Sequence, residues 1–278
     1  MTTNPAVVAE DLIVGYGNHI AIDRSDFIIP TGTVTALIGP NGSGKSTLLS
    51  AVAGLLAPIS GSITVMGGNG NTRRVAYVLQ ATKVNEVLPI TVQEVVTMGR
   101  YATTGPWRRL NRDDRGAVAD AMSRMGIDDL ADRHLGELSG GQRQRVFVAQ
   151  GLAQEHDLLL LDEPLTGLDL VSAQAIDRVI HDEPARGCTL VMTTHDLAEA
   201  RMADHVILLA GRVVAAGPPN EVLSVEHLTA AYGSSLLHTD GKNVFIDDPA
   251  HRPVPGRHVH REMTIHVEPP DAGLHGPD

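Results

Sequence analysis

The chain has 278 residues, a formal net charge of −11, 42% hydrophobic and 20% charged residues, the balance of a soluble globular protein rather than a disordered or fibrous one. Surplus negative charge argues against a general nucleic-acid binder, because attraction to phosphate needs surplus positive charge. A single cysteine, Cys188, excludes an internal disulfide, no segment approaches the roughly 18 apolar residues of a membrane span, and the residues after Met1 do not read as a signal peptide.

Aromatic residues make up only 3% of the chain, so the core is expected to be aliphatic. The first apolar run, Val34–Ile38, leads directly into Gly39-Pro40-Asn41-Gly42-Ser43-Gly44-Lys45-Ser46-Thr47. Glycines at these spacings let successive backbone N–H groups turn toward one anion. Residues 48–53 read as a helix whose N-terminus faces that anion. A strand, a GxxxxGK[ST] loop and a helix form the phosphate-binding loop of nucleotide hydrolases, in which Lys45 reaches the β- and γ-phosphates and the Ser46 hydroxyl holds Mg²⁺.

Val75–Leu79 is a second apolar run, ending at Gln80. Thr91-Val-Gln-Glu94 has the form of a capping box, and Asp113 to Met125 carries a helical pattern that stops at Gly126. These features predict an inserted helical subdomain at about 84–153. Ser139, ahead of Gly140, Gly141 and Gln142, is placed to cap a helix running to Ala153, its glycines leaving the N-terminus open to an anion.

Leu158–Leu161 leads into Asp162 and Glu163, and Leu190–Thr194 leads into His195. Apolar runs of this kind, separated by helical patterns, predict a buried parallel sheet. Each delivers a polar residue to the carboxyl edge, where such sheets bind ligands. Successive strand residues face opposite ways, so Asp162 and Glu163 are given different roles: metal-facing for the first, facing the water that attacks the γ-phosphate for the second. Val206–Leu209 and Arg212–Ala216, on either side of Ala210-Gly211, read as a hairpin. From Gly233 onward, six prolines and six of the thirteen histidines accumulate with little periodicity, which predicts an extended or disordered tail over 233–278.

A phosphate loop, then Leu138-Ser139-Gly140-Gly141-Gln142, then an acid-ended strand resembles the ATP-binding cassette (ABC) ATPases, over residues 6 to about 232. The resemblance implies a P-loop NTPase α/β core with a mainly parallel sheet, an N-terminal antiparallel β subdomain and an inserted α-helical subdomain, within one ATP-binding domain over 1–232. It implies that Tyr16 stacks on adenine and that Gln80 contacts metal and water. By the same resemblance His195 contacts the γ-phosphate, and Asp169 of Gly167-Leu168-Asp169 lies at the contact between two cassettes. Asp169 also suits a helix cap. Two copies are then expected to pair head to tail, each ATP held between the phosphate loop of one and Ser139–Gln142 of the other. The pair would drive integral membrane permease subunits from the cytoplasmic face of the membrane.

Leu88-Pro-Ile-Thr-Val-Gln-Glu-Val-Val-Thr-Met-Gly-Arg100, the segment from Tyr101 to Asp114, and Pro219 to Gly233 are similar to the ATPase subunits of manganese, zinc and iron importers. An extracytoplasmic solute-binding protein is implied as an indirect partner. Iron-siderophore and cobalamin importers share part of the pattern. The competing reading is a soluble ABC ATPase acting on ribosomes or DNA, and a single cassette with no sustained heptads disfavours it. The arginines at 108, 109, 112 and 115 beside Trp107 are read as a solvated face, with membrane or permease contact as the alternative. The tail histidines are read as solvated, with metal capture as the alternative.

Overall fold

The computed structural model describes residues 5–66, 74–79, 89–105, 109–233, 237–240 and 243–246. Two long strands, β1 (Pro5–Tyr16) and β2 (His19–Pro30), pair antiparallel across the turn at Gly17, whose φ of 57° favours glycine. After β3 (Val34–Ile38) and α1 (Lys45–Val52), β4 (Ser60–Val65) returns to pair with β1. The result is a three-stranded antiparallel sheet, as expected for the N-terminal β subdomain.

The second sheet forms around β3. Its strands are β5 (Val75–Val78), β6 (Leu158–Leu161), β7 (Thr189–Thr194), β8 (His205–Leu209) and β9 (Val213–Gly217). Their spatial order is β5-β6-β7-β3-β8-β9, parallel throughout except for β9, which pairs antiparallel with β8 as the predicted hairpin. Every residue of β3, β6 and β7 is buried, which explains why these runs are continuously apolar rather than alternating. Strand alternation divides them between two cores. Leu37, Leu158, Leu160, Val191 and Ile207 pack with α1 and the antiparallel sheet, and Ile38, Leu159, Leu161, Met192 and Leu208 pack on the opposite face.

The helical insertion comprises α2 (Val92–Met98), α3 (Tyr101–Thr104), α4 (Arg112–Met125) and α5 (Gly140–Leu152). Capping boxes open α2 at Thr91/Glu94, α4 at Asn111/Asp114 and α5 at Ser139/Gln142, and Gly126 ends α4 in the left-handed conformation with φ 58°. The predicted start of α4 thus moves to its cap, Asn111. Arg100 ties the insertion together: it donates to Asp114 Oδ1 at 2.8 and 3.0 Å and to the Ala153 carbonyl at 2.9 Å, buried throughout. The remaining helices are α6 (Leu170–Ala185), α7 (Leu197–Met202), α8 (Pro219–Val222) and α9 (Val225–Tyr232). In the tail, β10 (Leu237–Asp240) and β11 (Asn243–Ile246) pair antiparallel, an element that the composition of 233–278 does not foretell.

Candidate active site

The phosphate loop lies between β3 and α1, wedged against two other strands. A Cβ on Gly39 would run into the Leu209 carbonyl at the end of β8, and one on Gly44 would lie 2.9 Å from the Ala21 carbonyl of β2. Gly42 and Gly44 have φ of 78° and 100°, a backbone form that side chains resist. Gly44 is the N-cap of α1 and provides no side-chain cap, so the first-turn N–H groups remain for an anion. Ser43 Oγ is buried with no hydrogen-bond partner among the described residues. Lys45 is buried, and its ammonium donates to the Gly39 carbonyl at 2.7 Å and the Pro40 carbonyl at 3.1 Å, inside the loop. Burial lowers its pKa, against the opposing pull of Glu163 and Asp162. This glycine cradle, with an orphaned hydroxyl and an uncapped helix start, fits a polyphosphate.

Strand register brings the other polar groups to the same edge. Ile38 pairs with Thr194, so Gly39 and His195 leave adjacent strands side by side. Leu161 pairs with Met192, which sets Asp162 beside Thr193. Thr193 Oγ1 donates to Asp162 Oδ1 at 2.6 Å and accepts the Glu163 backbone N–H at 2.7 Å. Asp162 is buried, and the ring of Tyr77 lies close by; burial and then the Asp162 charge push the tyrosine pKa up to about 12. A Ser46 hydroxyl and an Asp162 carboxylate are hard oxygen donors, the chemistry that Mg²⁺ takes.

The two acids diverge for a different reason from the one the sequence suggested. β6 ends at Leu161, before either acid, and Glu163 adopts φ 47°, a left-handed backbone that is rare outside glycine. The turn in the backbone, secured by Thr193, separates them rather than strand alternation. His195 is exposed one residue past β7. Behind it, Thr194 Oγ1 donates to Glu199 Oε2 at 2.6 Å, and burial raises the Glu199 carboxyl. Tyr16, at the end of β1, is 56% exposed and open to stacking. Gln80 lies outside the described residues, as do Trp107 and Arg108 of the arginine-rich segment; Arg109, Arg112 and Arg115 are exposed.

The Ser139–Gln142 segment meets Asp169 at Gly141. Ser139 Oγ accepts the Gln142 N–H at 3.3 Å, and the Gln142 side chain accepts the Ser139 N–H at 2.9 Å. A Cβ on Gly141 would collide with Asp169 Oδ2 and would sit 2.6 Å from Ser172 Oγ. Asp169 caps α6 through the Ser172 N–H at 2.9 Å and the Ser172 hydroxyl at 2.8 Å, and these bonds lower its pKa. Ser139 and Gly140 stay exposed.

The family model described as "ABC transporter" matches residues 22–166, more than half of the chain. The chain belongs to the ABC transporter family. It is an ATP-binding subunit of such a transporter, an ATPase whose turnover is coupled to transport. It is 40% identical over 230 residues to a probable metal transport system ATP-binding protein of Chlamydia trachomatis, covering 82% of this chain and 89% of that one. It is 40% identical over 237 residues to the zinc transport system ATP-binding protein TroB of Treponema pallidum, covering 84% and 89%. The manganese transport system ATP-binding protein MntA of Synechocystis is 37% identical over 233 residues, covering 82% and 90%. Among solved structures, an inward-facing transporter described as metal-chelate type superposes with a TM-score of 0.73 at 28% identity, covering 87% of this chain and 96% of that one.

In this ABC ATPase, the phosphate loop, Asp162, Glu163 and His195 gather on one sheet edge, while Ser139–Gln142 gather with Asp169. Thr193 and Tyr77 are the site residues that sequence reasoning missed. Both occupy strands read only as apolar filler, and their use depends on strand neighbours far away in sequence. Among the described residues no helix is long and apolar enough to cross a membrane.

Proposed function

We propose that this ABC ATPase powers uptake of a transition metal ion or metal chelate, as a head-to-tail homodimer beneath membrane permease subunits. The observation that carries the cargo class is the agreement among relatives: those at 35–40% identity over most of the chain are named for transport of manganese, zinc, chelated iron or metal in general. The resemblance of Leu88–Asp114 and Pro219–Gly233 to metal-importer ATPase subunits supports the same reading. A solute-binding protein outside the membrane would hand cargo to the permease, and this chain would sit on the cytoplasmic face. Residues 1–232 form the ATP-binding domain, with the helical insertion at about 84–153, and 233–278 an appendage.

In the proposed site, backbone N–H groups of Gly39–Thr47 and the Lys45 ammonium bind the β- and γ-phosphates, with Tyr16 against adenine. Ser46, Asp162 and Gln80 would hold Mg²⁺, which when bound neutralises charge on the phosphate oxygens. Glu163 orients and deprotonates the attacking water, and His195 contacts the γ-phosphate. The Ser139–Gln142 face of a second copy, on which Ser139 and Gly140 are exposed, completes the γ-phosphate contacts, and Asp169 beside it lies at the join between the copies. The acid beside a phosphate loop, held by Thr193, supports catalysis by positioning and charge neutralisation.

The deciding experiment deletes the chain in its host and measures cellular manganese, zinc and iron. A selective fall in one metal, restored by the wild-type chain and not by Glu163→Gln, is the expected outcome. Unchanged content of all three, with pelleting on ribosomes, would overturn the proposal.

A further inference from the structure

At the opposite edge of the parallel sheet from the phosphate loop, three side chains of different chemistry converge. They are His156 in the link from α5 to β6, Glu183 near the end of α6, and Cys188 before β7. One ligand atom from each, an imidazole nitrogen, a carboxylate oxygen and the thiol sulfur, lie within 4.8 Å of one another. Glu183 and Cys188 are buried, and the His156 side chain is 8% exposed. None of them takes part in the nucleotide chemistry.

Hydrogen bonds orient the imidazole and the carboxylate toward each other. His156 Nδ1 lies 2.8 Å from the Gln154 carbonyl, which can only accept, so Nδ1 carries the proton. Nε2 is thereby turned toward Glu183 Oε2, 3.0 Å away. A proton on that nitrogen pairs the ring with the carboxylate, and a metal ion would take the place of that proton between the two donors. A carbonyl on the far ring nitrogen is also the usual outer support of a metal-binding histidine. Arg124 of α4 pairs with the other oxygen, Oε1, and so fixes the carboxylate plane. The Cys188 N–H donates to the Glu183 carbonyl at 3.1 Å, which closes the α6–β7 corner and holds the two residues together.

The cluster borders an open cavity of about 530 Å³ whose lining includes Asp120, Glu155 and Asp157, paired with Arg74 and Arg186. The cavity supplies both an entry path and room for a water in a fourth coordination position. Metal–ligand distances of about 2.0–2.3 Å put tetrahedral ligands about 3.5 Å apart, so closure onto an ion needs shifts of about 1 Å.

We propose that His156, Glu183 and Cys188 form a second cation site, separate from the ATP site, for a divalent transition metal of the zinc class. Nitrogen, oxygen and sulfur donors together favour Zn²⁺ or Co²⁺ over Mg²⁺. Binding converts the Cys188 thiol to a thiolate and releases its proton, with that of His156 Nε2, to solvent. The bound ion pins the α5–β6 link to the α6–β7 corner beneath α4.

Cys188 is the chain's one cysteine, so a sulfur-to-cobalt charge-transfer band reports this site alone, whatever the tail histidines bind. Co²⁺ titrated into the full-length, reduced, nucleotide-free protein should produce that band, saturating at one equivalent. Zn²⁺ should abolish it, and excess Mg²⁺ should leave it intact. Cys188→Ser should lose the band and His156→Gln should lose it or need far more metal. Zn²⁺ should raise the melting temperature of the wild type and not of Cys188→Ser. A wild-type protein that takes up Co²⁺ without the band, or a His156→Gln variant with an unchanged titration, overturns the proposal.

Discussion

Thr193 stands between the two acids of the site, its hydroxyl donating to Asp162 at 2.6 Å while accepting the Glu163 backbone N–H at 2.7 Å. One side chain from β7 therefore sets both the carboxylate proposed to face metal and the left-handed turn that aims the other. Thr193→Val keeps the shape and removes both bonds. It should cost about 1–3 kcal/mol of stability, since a buried donor and acceptor lose their partner. Steady-state turnover should fall about tenfold or more, equivalent to roughly 1.4 kcal/mol, with nucleotide affinity changed much less. Thr193→Ser should recover most of the turnover. Equal activity in Thr193→Val would reduce the threonine to packing.

Glu163→Gln should retain ATP binding and lose turnover by about 10²–10⁴-fold, the usual contribution of a positioned base. With hydrolysis blocked, the closed pair should accumulate, visible as an ATP-dependent dimer in size-exclusion chromatography. Wild-type hydrolysis by this variant would remove Glu163 from the chemistry.

Burial lowers the pKa of Lys45 from the usual lysine value of 10.5. Phosphates would raise it again, so nucleotide binding should take up a proton at alkaline pH. The sign follows from linkage: affinity is full below the lowered pKa and declines as pH rises through it, by at most about tenfold per pH unit. Lys45→Arg, whose guanidinium stays charged, should flatten that alkaline limb even if it binds more weakly overall. Nucleotide titrations across the alkaline range decide this, and identical limbs in the two proteins would contradict it.

Gly141→Ala places a methyl group where Asp169 Oδ2 and Ser172 Oγ now lie. Loss of the α6 cap should cost about 0.5–2 kcal/mol. Because Ser139–Gln142 and Asp169 belong to the proposed face between copies, ATP-driven dimerisation should weaken while nucleotide binding by one copy stays near normal. Analytical ultracentrifugation in the Glu163→Gln background separates the two effects, and undiminished dimerisation would show that this contact does not shape the face.

Much of this architecture was readable because its signals are local. Thr91/Glu94 and Ser139 cap their helices within four residues, Gly126 stops α4 by its own backbone freedom, and Lys45 follows its glycines in one continuous loop. The order of the strands was not readable. β3 lies between β7 and β8, each more than 150 residues away along the chain, and no short-range pattern encodes that choice. The ladder between β10 and β11 escaped for the converse reason: a Pro- and His-rich composition outweighed two short runs.

By itself the order of residues determined which groups could bind phosphate, hold an oxygen-liganded ion or polarise water, because those capacities reside in side-chain chemistry and glycine spacing. Tertiary structure alone decided that Thr193 would orient both acids, that Glu163 would turn through a positive φ, and that His156, Glu183 and Cys188 would meet. Each of these depends on distances across strands and helices, and only the packed sheet makes those distances short.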